Sequence, residues 1–127
     1  MKYILDNDIS YKFARMLAAL DIDIEAIRDE FPPNTKDPVF LEKFKGRDMV
    51  FVSVNTKQRT NPIEGKLLKQ ANVTALYLGP FWSKMQFWAQ AEWLIMRWPM
   101  IHGFANGAAR GTCAEIKRNG KSMIFHL

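Results

Sequence analysis

Met49-Val50-Phe51-Val52-Ser53-Val54 is the most apolar and β-branched run in the chain, and it carries no charge. A strand with apolar residues at both parities has to be covered on both faces, as a central strand of a parallel sheet is. It stops at Asn55. Toward the N-terminus, Lys2 to Asp6 is a shorter run of the same kind and reads as a second buried strand that ends in Asp/Asn. Between them, Ser10 can cap a helix on which Phe13, Leu17 and Leu20 recur at helical spacing, with Ala14 and Met16 beside them. Ile22 and Ile24, extending to Ile27, alternate with acidic residues as another strand, which Phe31-Pro32-Pro33-Asn34 breaks.

Asp37-Pro38 is a cap followed by proline at the first helical position, with Phe40, Leu41 and Phe44 inward and Gly46 as terminator. Asn61-Pro62 repeats that start for a third helix through Leu67, Leu68 and Ala71. Val73 to Leu78 is then a strand closed by Gly79-Pro80. Strands alternating with helices predict an α/β fold: a three-layer α/β/α arrangement around a mainly parallel central sheet, with right-handed crossovers. The last third departs from the alternation. Phe81 to about Trp98 reads as one long helix, and Thr112 to Leu127 as two strands around Asn119-Gly120, a type I′ hairpin signal. At 127 residues the expectation is one domain, with a core over 1–98 and a C-terminal extension with the hairpin over 99–127.

With 48% apolar and 24% charged residues, the composition excludes a disordered chain. A single cysteine, Cys113, excludes an internal disulfide and any multi-cysteine zinc motif, and fits a reducing compartment; the expected location is the cytoplasm. The N-terminus meets a carboxylate at Asp6 and lacks the apolar region of a secretory signal. Phe81 to Ile101 is interrupted by Lys84, Gln86, Gln90, Glu92 and Arg97, too many polar groups for a bilayer span, so no membrane association is expected. A net charge of +5 favours an anionic partner such as nucleic acid.

Ligands of open α/β sheets bind beyond the carboxyl ends of the strands. The loops at that end offer Asp6 and Asp8 after the first strand, Asp37 at the second helix, Asn55 after the central strand and Glu64 in the first turn of the third helix. Oxygen donors of this kind suit Mg²⁺ or Mn²⁺, which serve phosphodiester hydrolysis by activating water and neutralising developing charge. Each has a plainer reading: Asp8 or Ser10 caps the first helix, Asp37 caps the second, and Glu64 answers the helix dipole. Asp6 weighs against the plain reading, because a carboxylate at the inner end of a buried strand costs free energy unless liganded or hydrogen-bonded.

These residues resemble the PIN-like domain family, whose compact members open with a strand ending in an Asp-Glu-Asn-like triplet. Here the triplet is Asp6-Asn7-Asp8, followed by Ile9-Ser10. The resemblance continues through Asp37-Pro38-Val39-Phe40-Leu41, Val50 to Asn55, Arg59-Thr60-Asn61-Pro62-Ile63-Glu64 and the Arg118-Asn119-Gly120-Lys121 hairpin. It implies a metal-dependent ribonuclease with a parallel sheet and an acidic cleft, in many members the toxin of a bacterial toxin–antitoxin pair. It also implies Asp6 as the first acid and Asp37 as the second, with Asn55 where relatives often place an aspartate. An amide still offers a carbonyl oxygen but removes one negative charge, which Glu64 or Asp8 could restore.

Lys57, Arg59 and Lys66, with Lys36 before Asp37, stand beside this cleft and are candidates for clamping RNA phosphates; a solvated loop is the plainer reading. Lys117, Arg118 and Lys121 at the hairpin fit blunting of a strand edge. In the long helix, Phe87, Ala91, Leu94 and Trp98 form one face. Trp82, Met85, Ala89, Trp93 and Met96 form another, suited to the hairpin, to a homodimer or to an antitoxin. His102 and His126 read as structural, since neither has a paired ligand nearby. Three functions remain open: a Mg²⁺- or Mn²⁺-dependent endoribonuclease, a binding-only module favoured by Asn55, and, more weakly, a phosphoacceptor domain.

Overall fold

The computed structural model describes residues 1–31, 48–54, 68 and 70–125. Six strands form one sheet: β1 (Lys2–Leu5), β2 (Ile24–Ala26), β3 (Met49–Val54), β4 (Thr74–Leu78), β5 (Cys113–Ile116) and β6 (Ser122–Phe125), in the order β2-β1-β3-β4-β5-β6. All neighbours are parallel except β5 and β6. All six residues of β3 are buried, as its unbroken apolar run requires. The side chains separate by parity. Tyr3, Leu5, Val50, Val52, Val54, Leu76 and Leu78 pack on one face with the helices α1 (Tyr11–Ala19) and α2 (Phe87–Gly107). Ile4, Met49, Phe51, Ala75 and Tyr77 pack on the other with Leu68 and Ala71.

Ser10 is the N-cap of α1, its Oγ accepting from the Lys12 amide at 3.3 Å. The helix ends one residue before Leu20, which was expected inward but is 54% exposed. Asp21, at φ +66°, turns the chain out. The Ile22 and Asp21 amides close the turn on the Leu17 and Ala18 carbonyls, a Schellman ending. Asn72, at φ +58°, plays the same part after Ala71, with the Val73 amide on the Leu68 carbonyl. β2 is shorter than expected, because Ile27 leaves the sheet to open a 3-10 turn over Ile27–Asp29. The expected helix after Asp37 and the start of the one after Asn61 lie outside the described residues.

Three expectations are corrected. The stretch from Phe81 is not one helix: Pro80–Lys84 is a tight 3-10 turn, Met85 and Gln86 are extended, and only then does α2 begin. It runs past Trp98, through Pro99, to Gly107, so the expected core boundary falls inside it. Pro99 brings no N–H for the Ile95 carbonyl, and both residues lie on the exposed side, where water can serve that oxygen. The hairpin is not type I′, which needs positive φ at both central residues. Only Gly120 has it, at +84°, and the Gly120 amide bonds the Lys117 carbonyl, so the loop is a turn closed by a glycine bulge. A Cβ at Gly120 would also meet the Met100 sulfur at 2.6 Å.

The crossovers do not all share one hand. β1–α1–β2 and β3–β4 cross the sheet in opposite directions with helical residues on opposite faces, so they share one hand. β4–α2–β5 moves in the β3–β4 direction but lays its helix on the α1 face, and so has the opposite hand. A uniformly right-handed set is excluded. What α2 gains is the core begun by α1: Leu94, Trp98 and Ile101 complete the cluster around Phe13 and Leu17.

Candidate metal centre

The chain moves from β1 outward to β2 on one side and to β3 on the other, so strand order reverses between β1 and β3. The crevice beyond their carboxyl ends is where an open sheet of this order holds a ligand. Lys2 through Leu5 pair with Met49 through Val52, and continuing that register places Asp6 beside Ser53. The Asp6 amide donates to the Val52 carbonyl at 2.9 Å, holding the residue to the strand end. By parity both side chains stand on the face of Ile4 and Phe51. Asp6 is 8% exposed and Ser53 fully buried.

Asp8 reaches the same point from the loop. The turn closes through the Ile9 amide on the Asp6 carbonyl, and Asn7 donates its amide to Asp6 Oδ1 at 2.8 Å. Ser53 Oγ then stands 2.9 Å from Asp6 Oδ2 and 2.9 Å from Asp8 Oδ2, while the Val54 amide donates to Asp8 Oδ2 at 3.2 Å. The residue Asp8 is exposed, but this oxygen is turned inward. Because Ser10 caps α1, the capping role considered for Asp8 is taken and its carboxylate is committed here.

One hydroxyl carries one proton, so Ser53 donates to one of the two carboxylates at a time. Burial, and after it the negative charge of Asp6, push the Asp8 pKa up to about 6, and the hydrogen bonds from Ser53 and Val54 offset this only in part. Two carboxyl groups share a hydroxyl at the carboxyl end of the central strands, and Asp8 is raised toward neutrality. The centre can hold a proton or a cation, and its all-oxygen donors suit a hard divalent ion.

Of the expected site residues, the structure brings Asp6 and Asp8 together. Asp37, Asn55, Glu64, Lys57, Arg59 and Lys66 lie outside the described residues, and among the described residues no three His, Cys, Asp or Glu side chains are grouped to hold a metal. Ser53 was missed. The signal for it was present: it is the only polar residue in the central run, one position from its end. His102, read as structural, shares a 2.7 Å hydrogen bond with the Tyr3 hydroxyl through Nδ1; burial raises the phenol to about 12 and keeps it protonated.

A parallel sheet with an acidic pair at its switch point defines an α/β domain with a carboxylate site beyond the ends of its central strands. The family model for a PIN-like domain matches residues 1–80, and the chain belongs to the PIN-like domain family. The match holds β1 to β4 and both acids, and stops before α2. PIN-like domains are commonly nucleases and typically use divalent metals. No curated protein and no solved structure matches the chain. No helix among the described residues is long and apolar enough to cross a membrane.

Proposed function

We propose that the chain is a Mg²⁺- or Mn²⁺-dependent endoribonuclease whose metal centre is built on Asp6 and Asp8. The observation that carries this reading is the shared Ser53 hydroxyl, 2.9 Å from each carboxylate, at the β1–β3 switch point. Asp37, Asn55 and Glu64 complete the oxygen ligands in this reading, and Lys57, Arg59 and Lys66 hold substrate phosphates. A bound divalent ion supplies an activated water and neutralises charge developing on the phosphodiester. The chain's own contribution is orientation: β1 and β3 fix Asp6 and Ser53 rigidly, and Ser53 with the Val54 amide aims Asp8. The further assignment, toxin of a toxin–antitoxin pair, rests on the family resemblance; an adjacent reading frame for a small DNA-binding chain would support it.

Purified protein is expected to cleave single-stranded RNA with Mn²⁺ and to stop when the ion is chelated. Cleavage indifferent to chelation defeats the proposal. Asn55 favours a second reading, a PIN-like module that binds RNA or protein without cutting, because an amide in place of an acid leaves less charge for the ion. Calorimetric titration with Mn²⁺ separates them: a binding-only module takes up no ion, and Asn55→Asp creates or strengthens uptake.

A further inference from the structure

The chain's positive charge is unevenly placed. Residues 81–127 carry six Lys or Arg against two Glu, which is +4 of the net +5, so the first 80 residues, with both acids of the metal centre, are nearly balanced. Among the described residues, Lys2, Arg15 and Arg110 pair with carboxylates, and Lys12 and Arg28 lie over aromatic rings. Lys84, Arg97, Lys117, Arg118 and Lys121 have no such partner among the described residues. They come from three elements that meet. Lys117 and Lys121 bracket the hairpin turn, the Lys117 amide donating to the Lys121 carbonyl at 2.8 Å. Arg97 of α2 holds its Cδ 3.2 Å from where a Gly120 Cβ would stand, and the Trp93 indole of the same helix donates to the Arg118 carbonyl at 2.8 Å. Lys84, in the 3-10 turn after β4, and Arg118 line one open hollow of about 520 Å³, with Phe81, Met85, Gln86 and Ala89.

We propose that this basic face binds single-stranded RNA by its phosphates and leads the strand to the metal centre. The inference rests on the reading of that centre as an RNA-cleaving site and adds the ground on which the substrate lies. β1, β3, β4 and β5 are parallel, so the turns that follow β4 and β5 open at the same end of the sheet as Asp6 and Asp8. The Gly79 amide, on the Ile116 carbonyl at 3.0 Å, ties those two turns together. From β1 to β5 is three strand spacings, ~14 Å, a span that one short oligonucleotide covers. An acidic centre alone repels a polyanion, and cations at its own end of the sheet reverse that field. Blunting of the β6 edge, the plainer role of Lys117, Arg118 and Lys121, calls for neither Lys84 nor Arg97, which other elements bring to the same place. Phe81 and Met85 give the hollow an apolar floor on which a base can stack, a feature that an acidic peptide has no use for. The face lies beyond the residues that the family model matches, so it belongs to this chain and is not prescribed by the family.

The test is fluorescence anisotropy of a labelled single-stranded RNA oligonucleotide with the full chain in EDTA, where binding is read without cleavage, at salt between about 0.1 and 1 M. The wild-type affinity should fall steeply with salt. Lys84→Gln with Arg118→Gln removes two phosphate contacts, so the slope of log affinity against log salt should shrink by about 1.4, a loss of about 25-fold at 0.1 M that vanishes toward 1 M. Arg118 is placed through its carbonyl, which the substitution leaves, and unchanged circular dichroism shows that the variant folds. Arg15→Gln with Arg110→Gln removes the same charge from cations already paired with Asp29 and Asp48, and should lose far less. Absence of RNA binding by the wild type, or an equal loss in both double variants, overturns the inference. So does a polyglutamate of equal charge that binds more tightly than the RNA, which gives the face to an acidic protein segment. Mn²⁺-dependent cleavage decides the other reading separately. A chain that binds RNA through Lys84 and Arg118 without cutting keeps this face and loses the nuclease; one that cuts with KM unchanged in the Lys84 and Arg118 variant keeps the nuclease and loses this face.

Discussion

The two ends of β1 hold the same chemistry in opposite states. At the amino end, Glu25 and Glu30 approach β1 from its neighbour and from the following turn, and Lys2 bonds both, at 3.0 and 3.3 Å. Glu25, then burial, then Glu30 act on that ammonium, and the net effect raises its pKa. At the carboxyl end, Asp6 and Asp8 meet on a neutral hydroxyl, and the Asp8 pKa is raised rather than lowered. Carboxylates that serve the fold are matched to a cation supplied by the chain. A pair held close on one hydroxyl, with Asp8 raised above its ordinary pKa and no cation among the described residues bonded to Asp8, is built for something that arrives from solution.

The comparison breaks most visibly at Asp6. Asp6→Asn keeps the shape and the backbone bond to Val52 but removes the charge. Loss of one preorganised electrostatic group costs ~10²–10³-fold in rate, so Mn²⁺-dependent RNA cleavage should fall by that factor; cleavage within a few-fold of wild type would remove Asp6 from the centre. Ser53→Ala comes next. It deletes the hydroxyl that aims both acids, and supporting groups of this kind are worth about 10–100-fold in metal affinity or activity. It should also push Asp8 above its present value, because the Ser53 bond is among the influences that lower it. A titration showing Asp8 unchanged in Ser53→Ala would mean that the bond does not form in solution.

How far these two ends could be read in advance follows from which signals are local. β1, β3 and β4 were legible because continuous apolar runs in a parallel sheet leave little choice of element. Asp6 was legible as a carboxylate at the end of such a run. The role of Ser53 was not, because it depends on the offset that pairs Asp6 with residue 53, and strand register lies outside either segment. The inward stripe of α2 was legible in Ala91, Leu94 and Trp98, which are buried; which face of the sheet the helix covers was not, because that depends on the crossover and not on the helix. The break after Lys84 was missed for the opposite reason: Pro80 is compatible with the start of either a 3-10 turn or an α-helix.

A smaller effect sharpens the comparison through pH. Asp8 titrates near 6 in the folded chain, above its ordinary value of 3.8. The fold therefore binds this proton more tightly than the unfolded chain does. Its stabilising contribution is complete below about pH 4 and is lost as pH rises through about 6. Without metal, the Tm should decline across that window, and Asp8→Asn should flatten the decline. Mn²⁺ competes with the same proton, so its affinity should be level above pH 7 and about tenfold weaker at pH 5. An affinity that stays constant from pH 5 to 7 would take Asp8 out of the ligand set.

The smallest effect expected at the centre comes from the other end of the strand. Lys2→Met removes the cation that Glu25 and Glu30 share, and leaves Glu30, whose Oε2 is buried without a hydrogen-bond partner among the described residues, less well satisfied. Stranding a partly buried polar group costs about 1–3 kcal/mol, which chemical denaturation measures. Mn²⁺ uptake and cleavage, read at a temperature where the variant is folded, should not change. Lys2 and Asp6 stand four residues apart on one rigid strand, so the pair of variants asks whether the strand transmits disturbance along its length. If Lys2→Met weakened Mn²⁺ binding without unfolding the chain, the two ends would be coupled, and the division between structural and solvent-directed carboxylates would fail.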